Sequence, residues 1–169
     1  LKEAGLSSLD VDLSVSDGAF AGAVDAGQHY QNSGSGAGIN INIVQEPADG
    51  YWSNVWLKKP WCACYWSGRA TEDWMFSTAY ESGVPWNDTG WENERFQSLL
   101  MQGRAELDTG LRGEIYREMQ AICRDEGATV VPMYQNYVDA KSNRVEHSGQ
   151  TCNLWMLDNL RSCKRWWSA

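Results

Sequence analysis

Arg69 carries the most specific chemistry in this sequence. It closes the run Cys64-Tyr65-Trp66-Ser67-Gly68-Arg69, and Thr71, Glu72 and Asp73 follow. A guanidinium is a planar fork of donors, charged at any working pH, that meets a carboxylate or phosphate through two parallel hydrogen bonds. Tyr65 and Trp66 supply rings that stack on a solute. Ser67 and Gly68 are small enough to let the backbone approach a ligand. A helix capped by Thr71 would add free N–H groups and the positive end of its dipole, favouring an anion. The competing reading is an ion pair of Arg69 with Glu72 or Asp73 that only fixes the turn.

Other chemistry is thin. Asp10 and Asp12 read as the wet face of a strand, and Glu92 and Glu94 as a solvated helix start, so no carboxylate pair is singled out for glycosidase work. There is no G-x-S-x-G elbow. Ser33-Gly34-Ser35-Gly36 lacks the Lys-Ser/Thr of a phosphate-binding loop. The only two histidines, His29 and His147, read as a helix-surface residue and a loop residue. The five cysteines, Cys62, Cys64, Cys123, Cys152 and Cys163, are an odd number, without the two spaced pairs that zinc prefers. The reading is a non-enzyme with no catalytic residue, no metal and no cofactor.

Composition narrows the partners. With 14 basic and 22 acidic residues the net charge is −8, which excludes a phosphate-backbone partner. No apolar run approaches the roughly 20 residues of a membrane span, and no signal-peptide pattern opens the chain. Ten tryptophans among 169 residues mean a large aromatic core or a stacking surface. A Trp-rich carbohydrate-binding module is the alternative function, but such modules are mostly antiparallel β.

The elements that must position these residues are α/β. Leu9, Val11, Leu13 and Val15 alternate with Asp10, Asp12, Ser14 and Ser16, predicting a half-buried strand. Asp17 is the expected cap of a helix carrying Phe20, Ala23, Val24 and Gly27. A Gly/Ser-rich break at 31–38 then leads to a second strand on Ile39, Ile41 and Ile43. Strand, helix, strand at this spacing is a βαβ unit with a parallel pair. Tyr51, Trp52, Val55 and Trp56 fit a short helix, and Trp61 to Trp66 an aromatic third strand. Thr71 caps the next helix. Gly83 to Gly90 is a loop. Phe96, Leu99, Leu100 and Leu107 mark one helix of a pair, and Leu111, Ile115, Met119 and Ile122 the other, with Asp108 or Thr109 as cap and Gly127 as close. An extended stretch runs from Val130 to Val138.

The order of Trp66-Ser67-Gly68-Arg69-x-x-Glu72-Asp73, Trp86-Asn87-Asp88-Thr89, Phe96…Leu99-Leu100, Ala105-Glu106-Leu107-Asp108, Tyr116-x-x-Met119-Gln120, Asp125-Glu126-Gly127 and Val130-Val131-Pro132-Met133-Tyr134 resembles the C-terminal lobe of family 5 solute-binding proteins. These are the peptide, dipeptide and nickel receptors of ABC importers. The resemblance implies an incomplete C-terminal lobe of a type II periplasmic-binding-protein fold, with residues 1–147 in the lobe. The tail, 148–169, would return to an N-terminal lobe absent from this sequence and pack poorly alone. It also implies a periplasmic protein that captures a peptide or other small solute and delivers it to ABC permease subunits. Tyr65, Trp66, Ser67, Gly68, Arg69, Asp73, Trp86 and Asn87 would line one wall of the cleft. Two features depart from the family. Arg69 stands where many peptide-binding relatives keep an amine-pairing Asp, which points to an anionic group on the solute. The break at 31–38 replaces a helix, with local loss of order expected.

Overall fold

Strict alternation makes Leu9–Val15 strand β1 and Ile39–Gln45 strand β2, and the two pair in parallel with Leu9 opposite Ile39 and Val15 opposite Gln45. The computed structural model describes every residue except Asn153 and divides the chain into two units, Leu1–Trp66 and Ser67–Ala169. In the first unit helix α1, Ala23–Ser35, makes the crossover between the strands. Leu13, Val15 and Ile41 are buried beneath it, with Val24, Tyr30 and Ile43 packed against them. The helix lies close because Gly27 has no side chain: a Cβ there would come within 3.0 Å of Val15 Cγ1.

On the outer face Asn40 and Asn42 each donate a 2.8 Å amide hydrogen bond, to Asp10 and Asp12 respectively. The polar alternation holds only that far. Ser14 and Ser16 are buried, and each finds a partner: Ser14 Oγ donates to Glu46 Oε1 at 2.9 Å, and Ser16 Oγ accepts from the Gly18 amide at 3.2 Å.

Three local expectations are corrected in this unit. Helix α1 begins at Ala23, behind a left-handed Gly22, so Phe20 precedes it and Asp17 reaches only the Val24 amide, at 3.5 Å. The helix also runs through residues 31–35 of the supposed break, which shrinks to a turn at 36–38. Gln31 donates to the Ile41 carbonyl at 2.6 Å, and the Ser33 and Ser35 hydroxyls bond back to the His29 and Asn32 carbonyls. Finally, Trp61 to Trp66 is not a strand. It meets β1 in one parallel bridge, Ser14 with Cys62. The next rung is blocked at both ends, because the Ser16 carbonyl accepts from Ala19 and the Ala63 carbonyl accepts from the Tyr51 hydroxyl of helix α2, Tyr51–Asn54.

The second unit is led by three capped helices. Thr71 caps α3, Glu72–Ala79, Asn93 caps α4, Glu94–Ala105, and Asp108 caps α5, Thr109–Glu126. Phe76, Phe96, Leu99, Leu100 and Met119 form their buried core, surrounded by Tyr80, Trp91, Ile115, Tyr116, Ile122 and Cys123. Leu107 falls outside the stripe expected of it: α4 ends at Ala105 and Leu107 is 89% exposed. Leu111, in the first turn of α5, is also exposed. Beyond Gly127 the chain runs irregularly from 128 to 142.

Short strands β3, Val145–His147, and β4, Trp166–Ser168, then pair antiparallel. Between them lie α6, Met156–Leu160, and α7, Ser162–Arg165. Within α6 the backbone of Leu157, Asp158 and Asn159 winds left-handed. The Asp158 carboxylate is buried there, bonded to the Cys152 amide at 2.6 Å and paired with Arg165 at 2.9 Å. Trp155 and Trp166 are half-buried and Trp167 is 53% exposed, so the tail packs loosely, as expected of it.

Candidate functional site

The eight residues expected to line one wall divide between the units, Tyr65 and Trp66 in the first and the other six in the second. In the first unit the two rings belong to a larger array. Trp52 stands edge-on to Tyr51, Trp56 and Tyr65 with ring centroids 5.6, 5.8 and 5.5 Å apart, and Trp56 meets Trp66 at 6.3 Å. Edge-to-face packing puts the positive rim of one ring on the negative face of the next. Tyr65 is 59% exposed and Trp52 40%, so the array presents ring surface to solvent. The four-residue spacing of Trp52 and Trp56 is the signal by which the sequence marks them.

Arg69 sits over its own turn in the second unit. Its Nη1 donates to the Ser67 carbonyl at 2.9 Å, the Ser67 hydroxyl at 3.0 Å and the Gly68 carbonyl at 3.3 Å. The guanidinium carbon lies 5.4 Å from the Trp74 ring centroid, a distance at which a cation is drawn to the π face. Ser67, Gly68 and Arg69 are therefore brought together, with Trp74 as a ring that the sequence reading missed. Thr71 Oγ1 accepts from the Trp74 amide at 3.2 Å, so the cap itself holds that ring at the turn.

Asp73 faces elsewhere. Its Oδ1 accepts from Arg104 Nε at 2.8 Å and from the Tyr116 hydroxyl at 3.3 Å. Arg104 also reaches Glu81 at 3.5 Å. Asp73 thus ties α3 to α4 and α5. The Tyr116 phenol is pushed up by burial and by the neighbouring Asp73 charge, because both disfavour a phenolate.

Trp86 and Asn87 lie in the 83–90 loop. Asn87 Nδ2 donates to the Glu81 and Trp91 carbonyls at 3.3 and 2.8 Å, and its Oδ1 accepts from Thr89 at 3.2 Å. The amide spans the loop as a brace, while the Trp86 ring is 49% exposed. Among the described residues, no three His, Cys, Asp or Glu side chains gather into a group that could hold a metal, and no helix is long and apolar enough to cross a membrane.

Comparison with known proteins places this geometry. No protein-family model matches the chain. Over 48 residues, 28% of the chain and 9% of the relative, it is 44% identical to the oligopeptide-binding protein OppA of Bacillus subtilis. Among solved structures, HbpA2 from Haemophilus parasuis matches 75% of the chain with a TM-score of 0.62 and 18% identity. NikZ from Campylobacter jejuni, solved with Ni(L-His), matches 70% with 0.59 and 16%. The fold is that of part of a family 5 solute-binding protein. The ABC transporter substrate binding protein CtaP from Listeria monocytogenes matches 72% of the chain with 0.53 and 20%. The chain covers 27, 25 and 26% of these three structures, about a quarter of their length.

Proposed function

We propose that this chain is the C-terminal lobe portion, residues 1–147 with the tail 148–169, of an extracytoplasmic receptor that captures a peptide or similar small solute for an ABC importer. The observation that carries this reading is the fold shared across 70 to 75% of the chain with substrate-binding proteins of this family. The 48-residue identity with an oligopeptide-binding protein adds to it. Tyr65 and Trp66 offer ring faces, and Ser67 to Arg69 a cationic turn beside the capped start of α3. A guanidinium and a helix N-terminus favour the same sign of charge, so the solute presents a carboxylate or phosphate to this turn. The Trp74 ring and the Ser67 oxygens hold the guanidinium in place until a stronger acceptor arrives.

The test is tryptophan-fluorescence titration of the protein produced from the gene with its flanking coding sequence. Acidic and neutral tripeptides, and oligosaccharides, are the ligands. Saturable quenching by peptides, strongest for acidic ones, is expected. In that protein Arg69→Ala weakens binding by roughly 2–5 kcal/mol with the fold intact. Saturation by oligosaccharides alone favours the carbohydrate-binding alternative. An unchanged affinity with a lowered melting temperature assigns Arg69 to the turn only.

A further inference from the structure

Asp-Gly occurs twice in the sequence, at Asp17-Gly18 and Asp49-Gly50, and the fold places each pair at the centre of a tight turn. In such a pair the glycine nitrogen can close a five-membered ring onto the preceding side-chain carboxyl carbon, because glycine has no side chain to obstruct it. Closure needs an amide that is not already donating and a peptide plane able to rotate toward the carboxyl group. The two turns differ in both respects.

In the first turn the Ala19 amide donates to the Ser16 carbonyl at 2.9 Å. The Gly18 amide donates to Ser16 Oγ at 3.2 Å, and Asp17 Oδ1 accepts from the Val24 amide at 3.5 Å. Gly18 is also wedged: a Cβ on it would lie 2.8 Å from the Ala48 Cα. In the second turn the closing bond, from the Tyr51 amide to the Ala48 carbonyl, is stretched to 3.4 Å, beyond the usual range. Gly50, at φ 75° and ψ 6°, occupies the third position of a type II turn, where its amide takes no part in the turn's own hydrogen bond. That amide and the exposed Asp49 carboxylate have no hydrogen-bond partner among the described residues. Type I and type II turns differ by rotation of this central peptide, a rotation that glycine permits.

We propose that Asp49 is a site of spontaneous isoaspartate formation and that the fold shields Asp17 from the same reaction. The Gly50 nitrogen bonds to the Asp49 side-chain carboxyl carbon; its proton and the carboxyl hydroxyl leave as one water, and a succinimide results. Water then adds at the main-chain carbonyl carbon of residue 49 and breaks its bond to the Gly50 nitrogen, so the chain continues through the side-chain carbonyl. Mass is unchanged and no co-reactant is required. One extra atom enters the main chain ahead of the buried Tyr51, whose hydroxyl donates to the Ala63 and Ser14 carbonyls at 2.7 and 3.2 Å.

This inference stands apart from the solute reading. In its test the folded 169-residue chain is aged at neutral pH and digested with endoproteinase Asp-N, which cuts before aspartate and not before isoaspartate. Progressive loss of the cut before Asp49, with the cut before Asp17 retained, is the expected result. An isoaspartyl methyltransferase then labels the fragment containing residue 49. It leaves that fragment of the aged Asp49→Glu variant unlabelled, since glutamate would have to close a six-membered ring. In denaturant the two sites age alike. Equal loss at both sites in the folded chain, no loss at Asp49, labelling that survives Asp49→Glu, or a difference that persists in denaturant overturns the proposal.

Discussion

Residues 94–126 and residues 128–141 are both well supplied with large apolar side chains, and the fold treats them oppositely. In the first segment Phe96, Leu99, Leu100 and Met119 are essentially sealed from water. In the second, Val130, Val131, Met133, Tyr134 and Val138 are each at least half exposed, Tyr134 at 94%. The two differ in periodicity and in what can answer it. Apolar residues three and four apart give each helix a stripe, and two stripes on neighbouring helices bury one another. The run from Val130 to Tyr134 has no helical stripe, and Pro132 removes a donor from any ladder. Such a segment is buried only if a sheet receives it, and among the described residues 128–141 joins none. Hydrophobicity alone does not fold a segment; a complementary surface in register does.

The sharpest way to break this contrast is truncation inside the helical pair. Leu100→Ala empties a site with no solvent access and lowers the unfolding free energy by about 2–5 kcal/mol, read from urea denaturation followed by circular dichroism. Alkali is the next lever. Burial pushes the Cys123 thiol up to about 11 from an ordinary value of 9.0. The folded state therefore keeps a proton that the unfolded state loses first. That contribution to stability is intact below pH 9 and falls as pH rises through 9 toward 11. Urea midpoints across that range decline for the native chain and decline less for Cys123→Ala. Below pH 9, Cys123 reacts with iodoacetamide more slowly than the exposed Cys163.

Smaller effects belong to the ends of the helices. Asp108→Ala removes the acceptor of the Gly110 and Leu111 amides and costs about 1 kcal/mol, visible in the same denaturation curves. The smallest effect is expected in the exposed run: Val138→Ala changes stability by no more than about 0.5 kcal/mol. A loss there as large as that of Leu100→Ala would show that 128–141 is packed after all.

Legibility in the sequence followed the same division. The β1–α1–β2 unit, the capped starts of α3 and α5, and the buried faces of the helical pair were readable because period and cap chemistry are local. What misled were places where a distant partner decides. Ser14 looked solvent-facing, yet Glu46, 32 residues on, satisfies its hydroxyl. The Gly/Ser-rich stretch 31–38 looked like a break throughout, yet its first five residues are helical, and Gly34 lets α1 lie on β2: a Cβ there would be 3.1 Å from the Ile39 carbonyl oxygen. At the candidate site, the turn at Ser67 to Arg69 and the Thr71 cap were foreseen. Arg104 and Tyr116 were missed, since they reach Asp73 only through tertiary packing; Trp74 was missed although the local Thr71 cap places it.

The reversed turn at Leu157, Asp158, Asn159 and Leu160 has a consequence for synthesis. All four have φ between 50 and 60°, a sense of winding that costs L-residues roughly 1–2 kcal/mol each. For the mirror-image amino acid the same angles are the relaxed ones. A chain assembled chemically with D-leucine at position 160, whose side chain is 57% exposed, would keep the turn and relieve one residue's share of that cost. At this spot inverted stereochemistry should strengthen the protein.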